Sequence, residues 1–303
     1  MLQASFPRWP EVETDVTPID HLRWKLAAAP DPEKTHVVAE AEGHIVGCHL
    51  SLVREYLAGG AVTVRTDIDV AVAPEWRGRG VNGAQTKLSI ETSPATFVLT
   101  TTDNPSLVRA DHYRGHRPLR NRLISTSCDL TQAVHTSGTR VDSIASFDAR
   151  TETMWTKAAE PYEFIAAPSA AWLNWRYCDL RGGNGFVLQA EQGCEVLGFV
   201  AARISRGKGY IAYLLALPER SNVVQALTAS CLARFQEAGL REAVCALPGH
   251  HPYRGLLTEQ GFSQNRRRIP LTTRPGYPGD PERPSLRKPN AAVHIMLGDT
   301  DLI

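Results

Sequence analysis

The chain has 303 residues, 43% of them hydrophobic, and a formal net charge of +1. This length predicts about two globular domains, and the near-neutral charge argues against a nucleic-acid binder that works through a large basic surface. Six cysteines occur singly, without CxxC pairs or zinc-ligand spacing, so we expect reduced thiols and no metal site. The first residues do not read as a signal peptide and no apolar run approaches ~20 residues, so we expect a cytoplasmic protein without a membrane span.

The predicted elements begin with strands and then alternate with helices. Apolar alternation predicts three strands, at residues 35–42, 45–55 and 62–72. A helix, a short strand and a second helix follow, at residues 80–90, 96–101 and 104–114. This order is typical of the α/β class, with a mixed, mostly antiparallel sheet covered by helices.

Landmarks of the first half recur in the second half in the same order. Trp24 and Trp175 lie 151 residues apart, and so do Gly47 and Gly198. We therefore predict two copies of one fold, with chance matching of common residues as the alternative. The predicted division is a first domain at 1–130, a linker at 131–162 and a second domain at 163–303, the last with a proline-rich strap and a final strand.

The segment from Val70 to Gln85 reads VAVAPEWRGRGVNGAQ. It places two arginines and two glycines between a strand and a helix. A helix N-terminus offers unpaired N–H groups to phosphate, glycines let the backbone approach a ligand, and arginine forks suit pyrophosphate oxygens. The P-loop and Rossmann patterns are both absent. The segment predicts a pyrophosphate-binding turn, and an exposed basic turn before a helix is the alternative.

This segment resembles the acyl-CoA-binding motif of the GNAT superfamily of N-acyltransferases, Q/R-x-x-G-x-G/A after a strand. Asn82 stands where the family has glycine or alanine. Asn104, followed by Gly115 eleven residues later, is similar to the family's asparagine at the start of a later helix. The resemblance covers about residues 20–117 well and 163–262 faintly. Two departures are Asp111, where the family often has a tyrosine acid, and His116, where it has phenylalanine.

The resemblance implies a role for each matching residue. The backbone of one strand would pair with the pantetheine arm of acetyl-CoA or another acyl-CoA, through Val70, Ala71 and Val72. The turn would hold the pyrophosphate, through Arg77, Gly78, Arg79, Gly80, Val81 and Asn82. Asn104 would approach the pantetheine or thiol end of this co-substrate.

Charged residues on the third strand point to an acceptor site. Arg65, Asp67 and Asp69 alternate and are predicted to share one face. A central strand in a covered sheet is usually apolar on both faces, so this pattern indicates a cleft. Asp67 and Asp69 are candidate bases or amine-binding anions, with an internal ion ladder to Arg65 as the alternative. Tyr113, two residues beyond Asp111, is the candidate acid for the departing thiolate.

The second copy lacks these features. Its corresponding strand, at 210–217, is apolar on both faces, and ERSNVV follows Pro218 without an R-G-x-G. We therefore expect it to leave CoA unbound and to form the acceptor side. Asp299, Asp301 and Trp175 are candidate acceptor contacts, with core packing and an acidic tail as the alternatives.

The predicted function is that of a tandem GNAT N-acyltransferase, foremost an N-acetyltransferase. It would pass an acyl group directly from acyl-CoA to an amine of a small molecule, such as an amino sugar or an antibiotic-like metabolite. A non-catalytic acyl-CoA-binding or scaffold protein is the alternative, since the family's tyrosine is missing. No nucleic-acid or membrane partner is expected, and the oligomeric state is left open.

Overall fold

The computed structural model describes residues 1–10, 12–30, 36–92, 95–101, 115–131, 139–275, 288 and 290–300. The described helices are α1 (Leu2–Ser5), α2 (Pro18–Ala27), α3 (Val81–Thr92), α4 (Ala149–Ala158), α5 (Ala170–Leu173), α6 (Ser221–Glu237) and α7 (Tyr253–Glu259). The strands of the first half are β1 (Val37–Ala41), β2 (His44–Leu57), β3 (Ala61–Val72), β4 (Phe97–Thr100), β5 (Arg117–Pro118) and β6 (Leu123–Asp129). The later strands are β7 (Val141–Ile144), β8 (Phe164–Ala166), β9 (Gly185–Gln192), β10 (Glu195–Ser205), β11 (Lys208–Ala216), β12 (Glu242–Pro248), β13 (Ser263–Ile269), β14 (Thr272–Pro275) and β15 (Val293–His294).

The strands form two mixed sheets, which confirms the predicted fold class. The first sheet has the order β15-β8-β2-β3-β4-β14-β5, with β1 also paired to β2, and the second has the order β13-β6-β12-β11-β10-β9-β7. Most neighbours are antiparallel, but three pairs are parallel: β3 with β4, β8 with β15, and β11 with β12. The run β1-β2-β3-α3-β4 therefore corresponds to β9-β10-β11-α6-β12, as two copies of one fold require. No described helix has the length and apolar character needed to cross a membrane.

The two sheets do not follow the division drawn at residues 130 and 162. β6 lies before the predicted linker, yet it pairs with β12 and β13 of the second sheet. Conversely, β8, β14 and β15 lie beyond the predicted linker and pair within the first sheet. Strand pairing satisfies backbone groups with whichever edge is close in space, and composition along the chain carries no signal for that choice.

Two tryptophans join the copies through a reciprocal contact. The rings of Trp24 and Trp175 stack, with centroids 4.8 Å apart and an interplanar angle of 18°. The indole N–H of each donates to the backbone carbonyl of the other at 3.0 Å. Both side chains are buried, and a Cβ on Gly182 would lie 2.4 Å from the Trp24 ring. The residues that revealed the repeat in the sequence are therefore in contact with each other.

Replacing either tryptophan is expected to destabilise the fold strongly. Trp24→Ala or Trp175→Ala leaves a cavity and an unpaired carbonyl, and should lower the free energy of unfolding by about 3–5 kcal/mol. The double variant should lose less than the sum of the two, because the residues share one contact. Urea denaturation measures all three values, with the half-exposed Trp76→Ala as control. Strictly additive losses would show that the two side chains act independently.

Candidate active site

The central strand β3 separates from its neighbour β4 part-way along its length. β3 pairs with β4 over Val64–Thr66, and among the described residues no strand pairs with Asp67 to Val72 on that side. We call this stretch the open edge. In a β-strand, alternate residues direct their N–H and C=O groups to one side, where an extended ligand can pair with them. On the open edge, the Val72 carbonyl accepts from Ser5 Oγ at 3.3 Å and from Arg77 Nε at 3.1 Å.

The open edge leads into a glycine-containing turn at the start of α3. Gly78 and Gly80 have φ angles of +76° and +82°, which L side chains rarely adopt, and no atom lies within 4 Å of a Cβ built on either. Arg77 and Arg79 are exposed, and the Arg79 guanidinium lies 4.9 Å from the centre of the Trp76 ring. The turn thus brings two exposed cations and an accessible backbone to a helix N-terminus, an arrangement suited to phosphate. Val81 and Asn82 form the first, half-buried turn of that helix.

Gln85, which the sequence analysis missed, holds α3 against the strands. Its Nε2 donates to the carbonyls of Cys48 at 2.9 Å and Ala71 at 3.3 Å. A Cβ on Gly47 would lie 2.6 Å from Gln85 Oε1, so only glycine leaves room for this contact. The pair Gly47 and Gln85, in IVGC and GAQ, is the signal that could have revealed it.

Asp67 lies in an ion cluster on the α3 face of the sheet. Its Oδ1 is 2.9 Å from Arg65 Nε and 3.1 Å from His49 Nε2. Arg65 also donates to the Ser89 carbonyl at 2.7 Å, and His49 Nδ1 lies 3.4 Å from Thr86 Oγ1. These contacts correspond to the internal ion ladder that was the alternative for this residue.

Asp69 lies on the opposite face of β3, so the predicted shared face with Arg65 and Asp67 was wrong. Its carboxylate accepts from Lys25 Nζ at 2.8 Å and from Trp9 Nε1 at 3.0 Å, and neither partner belongs to α3. The cause is a β-bulge between the pairs His49–Val70 and Ser51–Asp67. A bulge inserts one extra residue and reverses the alternation beyond it, which strand periodicity alone does not predict.

Neighbouring groups on the Asp69 face are held neutral by burial. Burial lowers the pKa of His21 to about 4, and its Nδ1 lies 2.8 Å from the Arg181 carbonyl. Burial raises the pKa of the Cys48 thiol to about 11, with Asp69 adding to this effect. A thiol with so high a pKa is a poor nucleophile, so Cys48 does not suit a covalent intermediate.

The equivalent edge in the second copy is covered by the chain itself. β11 pairs with β12 over Gly209–Ile211 alone, and the segment 293–300 contacts both strands beyond that point. The Leu214 N–H meets Met296 Sδ at 3.1 Å, and the Ala216 N–H donates to the Tyr253 hydroxyl at 3.0 Å. Every residue of the segment 293–300 is buried, and Ala292 just before it is half-buried.

The structure revises two predicted acceptor contacts. The Asp299 side chain is buried, 3.3 Å from Arg54 Nη2, and its other oxygen accepts from the Met296 N–H at 2.8 Å. Burial raises the pKa of this carboxyl, against the opposing effect of Arg54. Trp175 packs against Trp24 between the copies. Both side chains have internal partners and are closed to an acceptor. Asn104, Tyr113 and Asp301 lie outside the described residues.

Comparison with known proteins places this geometry in a family. Residues 1–87 match the model of the acetyltransferase (GNAT) family. The whole chain has the tandem GNAT fold. The fold is similar to that of a tandem GNAT protein from the clavulanic acid biosynthesis pathway, at 15% identity and a TM-score of 0.59, covering 92% of this chain and 94% of that one.

Two further solved structures are similar to this chain. One is a probable N-acyltransferase from Enterococcus faecalis V583, with 12% identity, a TM-score of 0.67 and coverage of 90% of this chain and 68% of that one. The other is a GCN5-related N-acetyltransferase from Anabaena variabilis ATCC 29413, with 12% identity, a TM-score of 0.67 and coverage of 91% and 69%. No curated protein matches the chain. The family match supports acyl transfer as the general chemistry of the first copy.

The segment that covers the second copy should make stability depend on pH. His294 Nδ1 lies 2.9 Å from His251 Nε2, and burial lowers the pKa of His294 to about 3. The pKa of His294 in the folded protein lies below the unfolded value of ~6.5. The stability contributed by the neutral side chain is therefore complete above that pH and is lost as pH falls toward 3. Each such histidine should steepen the fall in unfolding free energy by up to about 1.4 kcal/mol per pH unit.

Urea denaturation between pH 7 and pH 4 measures this slope. His294→Gln should give a shallower slope than the unaltered protein, whatever its effect on stability at pH 7. His250→Gln, at an exposed neighbour of His251, serves as the control. Equal slopes for the His294 variant and the unaltered protein would contradict the assignment.

Proposed function

We propose that the chain is an acyl-CoA-dependent N-acyltransferase that uses acetyl-CoA or another acyl-CoA and transfers its acyl group to an amine. The observation that supports this is the open edge of β3 running directly into the Arg-Gly turn of α3. An extended arm and a pyrophosphate occur together in CoA, and the two features lie in the order that CoA would need. The small-molecule amines expected from the sequence, amino sugars and antibiotic-like metabolites among them, remain candidate acceptors.

In this proposal, the turn and the open edge bind different parts of the acyl-CoA donor. The backbone of Gly78 to Asn82 and the forks of Arg77 and Arg79 bind the pyrophosphate. The pantetheine arm then lies along Val70–Val72 as an added strand, and Ser5 Oγ and Arg77 Nε release the Val72 carbonyl to it. The contact of Asn104 with the thiol end is carried over from the family resemblance.

The reaction would join the amine nitrogen to the thioester carbon and break the C–S bond. The pyrophosphate turn leads into α3, so the acceptor would approach the thioester from the opposite face, where Asp69 lies. Asp69 would bind the amine and accept its proton, directly or through water, because an amine with a pKa of ~10.4 is protonated at neutral pH. Tyr113 would supply the proton that the departing thiolate takes. Asp67, in contact with Arg65 and His49, would shape the strand from the α3 face.

A non-catalytic acyl-CoA-binding or scaffold protein is the second candidate. The observation that favours it is that both aspartates already have internal partners in this structure. Incubation with acetyl-CoA and a panel of amines separates the two candidates by release of free thiol. Tight CoA binding without thiol release supports the scaffold, and absence of CoA binding rejects both candidates.

Charge reversal in the turn should weaken binding of the donor. Arg77→Glu and Arg79→Glu each replace a forked donor with a charge that repels pyrophosphate, and should raise the Kd for acetyl-CoA about tenfold or more. Arg220→Glu makes the same change in the corresponding turn of the second copy and should leave the Kd unchanged. Isothermal titration calorimetry provides the measurement. An equal loss in all three variants would point to general electrostatics, and no loss at Arg77 or Arg79 would reject the turn.

Removing the Asp69 carboxylate should slow transfer while leaving donor binding intact. Asp69→Asn is best made together with Lys25→Met, because the single change leaves a buried ammonium without its carboxylate partner. The transfer rate should fall about 10²–10⁴-fold if Asp69 is the base. Lys25→Met alone and Asp67→Asn are the comparison variants, followed by single-turnover thiol release. A larger loss in Asp67→Asn than in the double variant would assign the base to Asp67.

A further inference from the structure

A cavity of about 730 Å³ lies between the two copies, at the hairpin end of β2 and β3. The first copy lines it with Val53, Arg54 and Glu55 of β2 and with Thr63 of β3. The second copy lines it with one face of α4 and with part of the segment 167–172, which continues into α5. Sites for small molecules typically have volumes of ~300–1,000 Å³. Because the Arg-Gly turn lies at the other end of β3, this cavity is separate from the donor-binding features.

The wall that α4 forms carries a fixed indole and an oriented carboxylate. Glu152, Trp155 and Thr156 line the cavity together, because residues three and four apart share one face of a helix. The half-buried Trp155 donates its indole N–H to the Ala166 carbonyl at 2.8 Å, which holds the ring in place. Glu152 Oε1 accepts from the Ala170 N–H at 2.8 Å, which leaves its other oxygen available to a ligand.

A second indole in the lining, that of Trp172, is fixed by Arg54. The Arg54 guanidinium lies 4.3 Å from the centre of the Trp172 ring. Its Nη2 donates to the Tyr56 hydroxyl at 2.6 Å and lies 3.3 Å from the buried Asp299 carboxylate. The charge of Arg54 is therefore matched inside the protein, and this wall offers the cavity mainly the apolar surface of an indole.

The remaining charges among the described lining residues are two carboxylates, one from each copy. Within the described part of the chain, Glu55 is exposed and has no ion-pair partner. Glu152 is exposed as well, and Lys157 of the same helix is bound instead to Glu195, at 3.0 Å. Carboxylates attract a cation, and the face of an indole ring attracts an ammonium group through its quadrupole. Both kinds of group in this lining therefore favour a positively charged ligand.

We propose that this cavity binds an organic cation, an ammonium group carried on an apolar body. The ammonium would pair with the carboxylates of Glu55 and Glu152, and the apolar body would pack against the indoles of Trp155 and Trp172. Such a ligand contacts both copies at once. An organic anion of the same shape would meet two like charges and be rejected. This site goes beyond the acyl transfer proposed above and does not depend on it.

The first arm of the test compares three probes of one shape by isothermal titration calorimetry, without CoA. Phenethylamine should bind saturably, phenethyl alcohol should have a Kd about tenfold higher or more, and hydrocinnamate should not bind. Glu55→Gln and Glu152→Gln should each raise the Kd for phenethylamine about threefold or more. Glu160→Gln makes the same change at an exposed residue just beyond α4 and should leave the Kd unaltered. Equal binding of amine and alcohol, or equal Kd values in all three variants, would overturn the inference.

The second arm blocks the cavity without changing its charge. Thr156→Trp puts a large side chain into the cavity from an exposed position of α4, and should raise the Kd for phenethylamine about tenfold or more. Thr153→Trp makes the same change at an exposed position of α4 outside the lining and should leave the Kd unaltered. The urea midpoint of each variant verifies that it is folded. Unaltered binding in a folded Thr156→Trp protein would place the cation elsewhere and overturn the inference, whereas failure of thiol release counts only against the proposed function.

Discussion

The reciprocal contact of Trp24 and Trp175 determines how the two copies face each other. Each indole N–H donates to the other's backbone carbonyl, and the two rings stack on each other, so the contact is reciprocal. The cation after each tryptophan then points into its own copy. Lys25 meets the Asp69 carboxylate, and Arg176 donates to the Thr300 carbonyl. One constraint therefore places a positive charge at equivalent positions of the two copies, and the groups that meet this charge differ between them.

The two copies share the same arrangement of strands, but they differ in what lies against the unpaired edge of the central strand. In both, the central strand leaves its parallel neighbour after three paired residues and exposes part of its edge. In the first copy this edge continues into the turn that contains Gly78, Gly80 and two exposed arginines. In the second, Met296 and Tyr253 take up backbone groups of the edge, and Glu219 and Arg220 replace the glycine turn. Loss of the turn and occupation of the edge are complementary, because an edge without a phosphate site gains stability when its own chain satisfies it.

The sequence predicted those features that depend on local patterning. The order of strands and helices follows from apolar periodicity, and the tryptophan repeat identified two residues that prove to be in contact. The face of Asp69 could not be predicted, because a bulge depends on how two strands pair. Asp299 was predicted as a candidate acceptor contact, yet long-range contact with Arg54 buries it. Trp9 carries no local signal of its bond to Asp69, 60 residues away. The roles of Asn104 and Tyr113 stay predictions.

The exchange of strands between the sheets has a consequence for how such a chain can diversify. β6 completes the second sheet, and β8, β14 and β15 complete the first, so each sheet is assembled from both parts of the chain. A cut between the copies would leave both sheets with missing edges and exposed backbone groups. Recombination that trades one half for that of a relative would meet the same obstacle. New specificity in this architecture has to arise by substitution within one chain, since the halves are not interchangeable parts.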